Sequence, residues 1–173
     1  MRQSIITVEE AKTKGRPIGK IDNDKLMAII TEVEQTIIRP SLGDDLYVRL
    51  ISDDELTPEE KTLLSGGSYQ EEQKTRVFVG LKVAIAYFVY AQNVMSGDFE
   101  STRFGMVLKN GDYSDKMSSR ERSDVYNNIT NTANAYLQDC IRYCHIKGIR
   151  TGQGKNLHTT SGCVIHKIGG TRR

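Results

Sequence analysis

Tryptophan is absent, and proline, cysteine and histidine each occur only three times in 173 residues. The prolines are Pro17, Pro40 and Pro58, so long stretches are free to run as helix, whose interior rejects proline. An odd number of cysteines, in a chain that reads as intracellular, argues against a disulfide framework and for free thiols. The uncharged run between Lys82 and Asp98 is shorter than the ~18–20 residues of a membrane span. The opening MRQSIITVEEAKTKG has no apolar h-region and meets acids early, so it does not read as a signal peptide. Acid is also missing from the last stretch, which carries Lys147, Arg150, Lys155, Lys167, Arg172 and Arg173 without an Asp or Glu.

The mean hydropathy of -0.46 fits a soluble protein. A hydrophobic content of 38% fits one domain, and at this size roughly 70% of the unfolded surface can be buried without a disulfide or metal. The formal net charge is only +2, yet Arg2, Lys12, Lys14, Arg16 and Lys20 crowd the start and the acids sit mostly in the middle. This layout reads as two basic termini around a near-neutral body.

Hydrophobic periodicity predicts a mainly α fold. Four to five helices form a bundle around a long central helix, with a short hairpin-like loop and extended N- and C-terminal arms. Residues 1–21 read as an arm. Ile5, Ile6 and Val8 form a short strand or pack on a neighbour, and Gly15, Pro17 and Gly19 break regular structure. The helical body covers 22–147. Asp22, Asn23 or Asp24 caps a helix striped by Leu26, Ile29, Ile30, Val33 and Ile37, with Glu32 and Glu34 off the stripe. Arg39-Pro40 ends that helix.

Asp44 and Asp45 open the next helix, with Leu46, Tyr47, Leu50 and Ile51 as its apolar face. Thr57-Pro-Glu-Glu60 opens a short third one, stopped by Gly66-Gly67. The central helix is expected over Gln70–Met95, apolar on nearly every face, and is stopped by Gly97. A loop over 97–117 is expected to hold a small hairpin turning at Asn110-Gly111. Ser118-Ser-Arg-Glu121 then starts the last helix, striped by Val125, Ile129, Ala133, Tyr136, Leu137, Cys140, Ile141 and Cys144, with Gly148 at its end.

Residues 148–173 form an extended, glycine-rich, basic arm. Its one strand-like run is Cys163, Val164, Ile165, His166, Lys167 and Ile168, expected to pair with a neighbouring chain, since backbone hydrogen bonds give an extended segment affinity for a sheet edge. Arg150, Lys155, Lys167, Arg172 and Arg173 suit phosphates or an acidic protein surface, and charge sign alone does not separate these.

No catalytic constellation emerges, and no cofactor is expected. Cys140, Cys144, His145, His158, Cys163 and His166 lack a paired C-x2-C spacing. Cys140 and Cys144 also fall on an apolar stripe, so they read as core residues and no metal site is expected. Gly152-Gln-Gly-Lys155 lacks the length, the hydroxyl residue and the setting of a phosphate loop. Asn128-Ile-Thr130 fits a glycosylation sequon but lies mid-helix, in a chain without a secretion signal. The chain therefore reads as a non-enzymatic binding or assembly protein. Its alternative reading is a small DNA-binding protein for packaging or regulation, although no short helix-turn-helix with a basic recognition helix is present.

Several stretches carry a family resemblance over about residues 22–146. They are Ile37-Ile-Arg-Pro-Ser-Leu-Gly-Asp-Asp-Leu-Tyr-Val-Arg-Leu50, a short acidic segment to Leu64, the long apolar helix, Thr102-Arg-Phe-Gly-Met-Val107, and Tyr113-Ser114. With these the chain resembles the small helical head–tail connector (adaptor) proteins of tailed bacteriophages, in the form found in phages of Bacteroides-type hosts, including crAss-like phages. The resemblance implies a homo-oligomeric ring of about twelve copies below the portal protein, in contact with tail or further ring proteins and enclosing double-stranded DNA. It places the protein in the virion at the head–tail junction, and in the host cytoplasm during assembly, with no membrane contact. The arm at 148–173 would dock on the portal, and no catalytic residue is carried over.

Overall fold

The structure, a computed structural model, describes residues 4–19, 21–52, 56–96, 99–102, 105–108 and 118–152. In chain order the elements are α1 (Val8–Lys14), α2 (Asn23–Val33), a π turn (Glu34–Ile38), α3 (Arg39–Leu42), α4 (Asp44–Ser52), α5 (Pro58–Ser65), β1 (Gly67–Glu71), β2 (Lys74–Phe78), α6 (Leu81–Ser96), β3 (Phe99–Thr102), β4 (Gly105–Leu108) and α7 (Ser119–Ile146). The fold is mainly α. Helix α6 is its axis, packed by α1, α2, α5 and α7. Leu81, Ala84, Ile85, Ala86, Phe88, Val89 and Ala91 of α6 are buried, because these helices take most of its faces.

Several starts and stops fall where the sequence puts them. Thr57 and Ser118 each form a reciprocal capping box, with Glu60 and Glu121 respectively. Asp44 and Asp45 occupy the first turn of α4. Gly66 closes α5 and Lys147 closes α7, one residue before Gly148.

The expected N-terminal arm is not an arm over residues 4–14. Ile5, Ile6, Val8 and Ala11 are buried in the main core, and α1 lies against α6. Thr7 caps α1: its hydroxyl accepts from the Glu10 N–H at 3.1 Å, and the Glu10 carboxylate accepts from the Thr7 N–H at 3.2 Å. Glu10 also reaches Lys82 on α6 at 2.7 Å. That ion pair holds Glu10 below the usual carboxylate range against the opposing effect of its burial, which is the largest single influence.

Pro40 does not end the second helix. The π turn lets the Arg39 N–H reach back five residues to the Glu34 carbonyl, and Pro40 follows at the start of α3, where a missing N–H costs little. The chain turns at Gly43 instead. Glu34, expected off the apolar stripe, is fully buried at the start of this turn.

The expected central helix loses its first third to a hairpin. β1 and β2 pair antiparallel, Gly67 opposite Phe78 through Glu71 opposite Lys74. Tyr69 and Phe78 face inward against Tyr143 of α7, with ring centroids 4.7–5.8 Å apart. Val77, read as the first member of the central stripe, is 78% exposed. The break comes at Gly80, whose φ of +91° is a left-handed value and which lies back to back with Gly66. A Cβ on Gly80 would collide with the Gly66 nitrogen, and one on Gly66 would sit 2.5 Å from the Val79 carbonyl. Hairpin and helix meet at a point only two glycines can share.

A second hairpin, β3 with β4, runs in register from Phe99 opposite Leu108 to Thr102 opposite Gly105. Its strands are thus joined ahead of Gly105. The expected turn at Asn110-Gly111 lies outside the described residues.

Candidate functional site

Most of the expected interaction residues, namely Cys163, Val164, Ile165, His166, Lys167, Ile168, Lys155, Arg172 and Arg173, lie outside the described residues. Arg150 is described. It is exposed and lines the groove where the C-terminal segment crosses the body.

That groove is built from the end of α7 upward. The Lys147 N–H donates to the Tyr143 carbonyl at 3.0 Å, and the Ile149 N–H to that of Cys144 at 2.9 Å, which folds the chain back over the helix end. Ile149 packs, partly buried, against the core. Gly152 then reaches the corner between α3 and α4 and donates its N–H to the Leu42 carbonyl at 2.7 Å. Gly43 turns that corner with φ +84°. A Cβ on Gly43 would lie 2.6 Å from Gly152, and one on Gly152 would lie 2.5 Å from the Gly43 Cα. The corner at Pro40-Ser-Leu-Gly43 is therefore the seat of residues 149–152.

The groove has a volume of about 940 Å³. Its walls are the start of α4 (Asp44, Asp45, Leu46), Val48 and Arg49 one turn on, Thr57 and Glu60 at the head of α5, and Gly148–Gly152. Two ion pairs organise its charge. Arg49 meets the buried Glu60 at 3.0 Å, and Glu60 also accepts from the Thr57 N–H at 3.0 Å. Arg39 meets Asp44 at 2.6 Å and holds its carboxyl below the usual range. Asp45 and Arg150 add further exposed charge. The only hydroxyl at the head of α5, Thr57, is used in the helix cap. Among the described residues this groove presents mixed charge beside the seated segment 148–152.

Cys140 and Cys144 are core residues, as their place on the apolar stripe suggests. Cys140 and Cys144 are fully buried, and burial pushes the Cys144 thiol up to about 12 and that of Cys140 higher still. His145 points to the surface. Among the described residues no group of three or more His, Cys, Asp or Glu is arranged to hold a metal. His158, Cys163 and His166 lie outside them.

Glu34 is the charged residue that sequence reasoning misplaced. Its carboxylate, fully buried, accepts from the Ile5 N–H at 2.9 and 3.1 Å, from the Ile6 N–H at 3.4 Å and from the Tyr47 hydroxyl at 3.1 Å. Burial raises its pKa, and these hydrogen bonds only partly oppose the rise. A signal for it was present: Glu34 fills one place in the row Leu26, Ile30, Glu34, Ile38 and Leu42, each four residues apart.

The seat of the C-terminal segment can be tested directly. Gly152→Ala is expected to release residues 149–152 from the corner while the helical signal by circular dichroism stays near wild type. Amide exchange at position 152 should then rise toward that of an open chain. Gly43→Ala adds backbone strain of about 1–3 kcal/mol to the same clash and should also lower the melting temperature. Unchanged protection at position 152 in both variants would count against this contact.

Residues 38–144, more than half of the chain, match a family described as "Family of unknown function (DUF6712)". The match begins in the π turn, takes in the Gly43 corner, both hairpins and α6, and ends within α7. No curated protein and no solved structure matches the chain. The match leaves out α1 and α2 and covers α6, most of α7 and the Gly43 corner, and the chain is a member of the DUF6712 family.

Proposed function

We propose that this protein is a non-enzymatic virion component that forms a homo-oligomeric ring at the portal–tail junction, connects capsid to tail and encloses the DNA channel. The observation that carries this reading is the seating of Gly152 on Gly43. The body holds residues 149–152, the root of the segment whose sequence carries Lys155, Lys167, Arg172 and Arg173. A helical body with an arm rooted at one corner suits a subunit that must hold its neighbours and reach a partner. The resemblance in the Ile37–Leu50 stretch supports the same reading. Repeating a modest basic charge around a ring multiplies the field in its channel, even when one chain is near neutral.

The test is electron microscopy in negative stain of the purified protein, alone and mixed with portal protein. Rings are expected in at least one of the two. A chain truncated after Gly152 should keep its melting temperature and lose portal binding. Persistent monomers in both samples would reject the ring. If those monomers also bound duplex DNA with a steep salt dependence, the DNA-binding alternative would replace it.

A further inference from the structure

The β1–β2 hairpin offers a sheet edge that no other strand among the described residues takes up. Its inner face is fixed by Tyr69 and Phe78 against Tyr143, so the hairpin is held firmly to the body. Its outer face is Ser68, Gln70, Thr75 and Val77. All four are exposed, none is charged, and Gln70 bonds Thr75 across the strands at 2.8 Å. Exposed edges are commonly protected by charge, proline or a bulge. The β2 edge has Lys74 and Arg76 only on the opposite face, where Arg76 is paired with Glu71.

The register says which backbone groups are free. Glu72 and Gln73 form a two-residue turn, with Glu72 at φ +56°, closing on the pair Glu71 and Lys74. In such a ladder hydrogen-bonded and non-hydrogen-bonded pairs alternate. Tyr69 and Arg76 therefore bond to each other, while Thr75 and Val77 turn their N–H and C=O groups toward the outer edge of β2.

We infer that this edge is the docking site of the chain's own run Cys163–Ile168, held there as a third strand before assembly. The inference rests on reading 148–173 as an arm, and it does not require the ring. The run is β-prone, and strand alternation would put Val164, His166 and Ile168 on one face and Cys163, Ile165 and Lys167 on the other. The chain is anchored at Gly152, in a groove that includes the head of α5, and the hairpin begins just past the foot of α5. The length of α5 is about 12 Å, at 1.5 Å per residue. The tether from Gly152 to Cys163 can span roughly 30 Å. A tether this short gives its own run an effective concentration on the order of millimolar at the edge, above that of any free copy. The arm is thereby kept off wrong partners, and a better edge on the assembly partner can displace it.

Two measurements on the full chain test this. Thr75→Cys and Val77→Cys, made separately, place a thiol opposite the docked run, whose native thiol is Cys163. Under mild oxidation the expected product is an internal disulfide that runs as monomer on a non-reducing gel, is unaffected by tenfold dilution and is abolished by Cys163→Ser. A Cys163-dependent dimer would move the docking to a second copy and overturn the proposal. A dimer that survives Cys163→Ser would mean that hairpins pair with each other, and overturns it equally. Amide exchange supplies the second measurement without a variant at the edge. The Thr75 and Val77 amides should exchange at least tenfold more slowly in the full chain than in the chain truncated after Gly152. Equal rates would leave the edge unoccupied and reject the inference. Ring formation, read separately by microscopy, fails or succeeds independently of both results.

Discussion

Leu81→Ala is expected to lower the unfolding free energy by about 2–5 kcal/mol, measured by urea denaturation followed by circular dichroism. Leu81 opens α6 and is fully buried, within a helix covered by α1, α2, α5 and α7. Truncation removes the transfer free energy of the side chain and leaves a cavity that four packed elements cannot all move to fill. Val77→Ala, four residues earlier, is the matched control. Val77 is 78% exposed, and its loss should stay within about 0.5 kcal/mol. A single helix through Gln70–Met95 would place both residues on one buried stripe and make both substitutions costly. The contrast between the two therefore separates a hairpin followed by a helix from one continuous helix.

The second large effect is expected at Glu34. Glu34→Ala leaves the Ile5 and Ile6 N–H groups and the Tyr47 hydroxyl without their buried acceptor. An orphaned buried donor costs about 1–3 kcal/mol, so a total loss of about 3 kcal/mol or more is expected. It should fall first on residues 4–14, which would become open to protease before the rest of the body unfolds. Tyr47→Phe removes one donor and keeps the carboxylate's other bonds, and should cost about 1 kcal/mol. Equal protease resistance of residues 4–14 in wild type and Glu34→Ala would show that the carboxylate does not hold this segment.

The pH dependence follows from the direction of the Glu34 shift. Burial raises its pKa above the ordinary 4.5, so the folded state binds this proton more tightly than the unfolded chain does. The stability from that difference is fully present below the unfolded value and is lost as pH rises through the folded one. The stability of wild type relative to Glu34→Gln should therefore decline as the pH rises above the ordinary carboxylate value, read by denaturation at each pH. A gap that widened with rising pH would mean a lowered pKa and would contradict this account.

Much of the fold was legible because local signals were strong. The boxes at Thr57 and Ser118 set two helix starts, and the stripe from Ile129 to Cys144 set the buried side of α7. The Thr7-x-x-Glu10 box is equally present, but the glycines and proline at 15–19 mask a helix of only two turns. The hairpin was lost because Val77, Phe78 and Val79 fit a helical stripe and a strand alike. What decides between them is the contact of Gly66 with Gly80, which is not local in sequence. The π turn was lost for a related reason, since Pro40 signals a helix end unless the preceding turn has already shifted its hydrogen bonds. At the candidate site, Arg150 was legible as a free basic residue. The pairing of Gly43 with Gly152 was not, because it joins two loops more than a hundred positions apart.

The Gly66–Gly80 contact has a consequence for engineering and for divergence. The chain leaves the body and returns to it at one spot, so the residues between behave as an exchangeable insert. Apart from Tyr69 and Phe78, which hold it down, its length and sequence can drift without altering the helices around α6. Relatives in the family are expected to vary in length at this position while keeping both glycines. A foreign β-hairpin grafted between them should yield a folded protein.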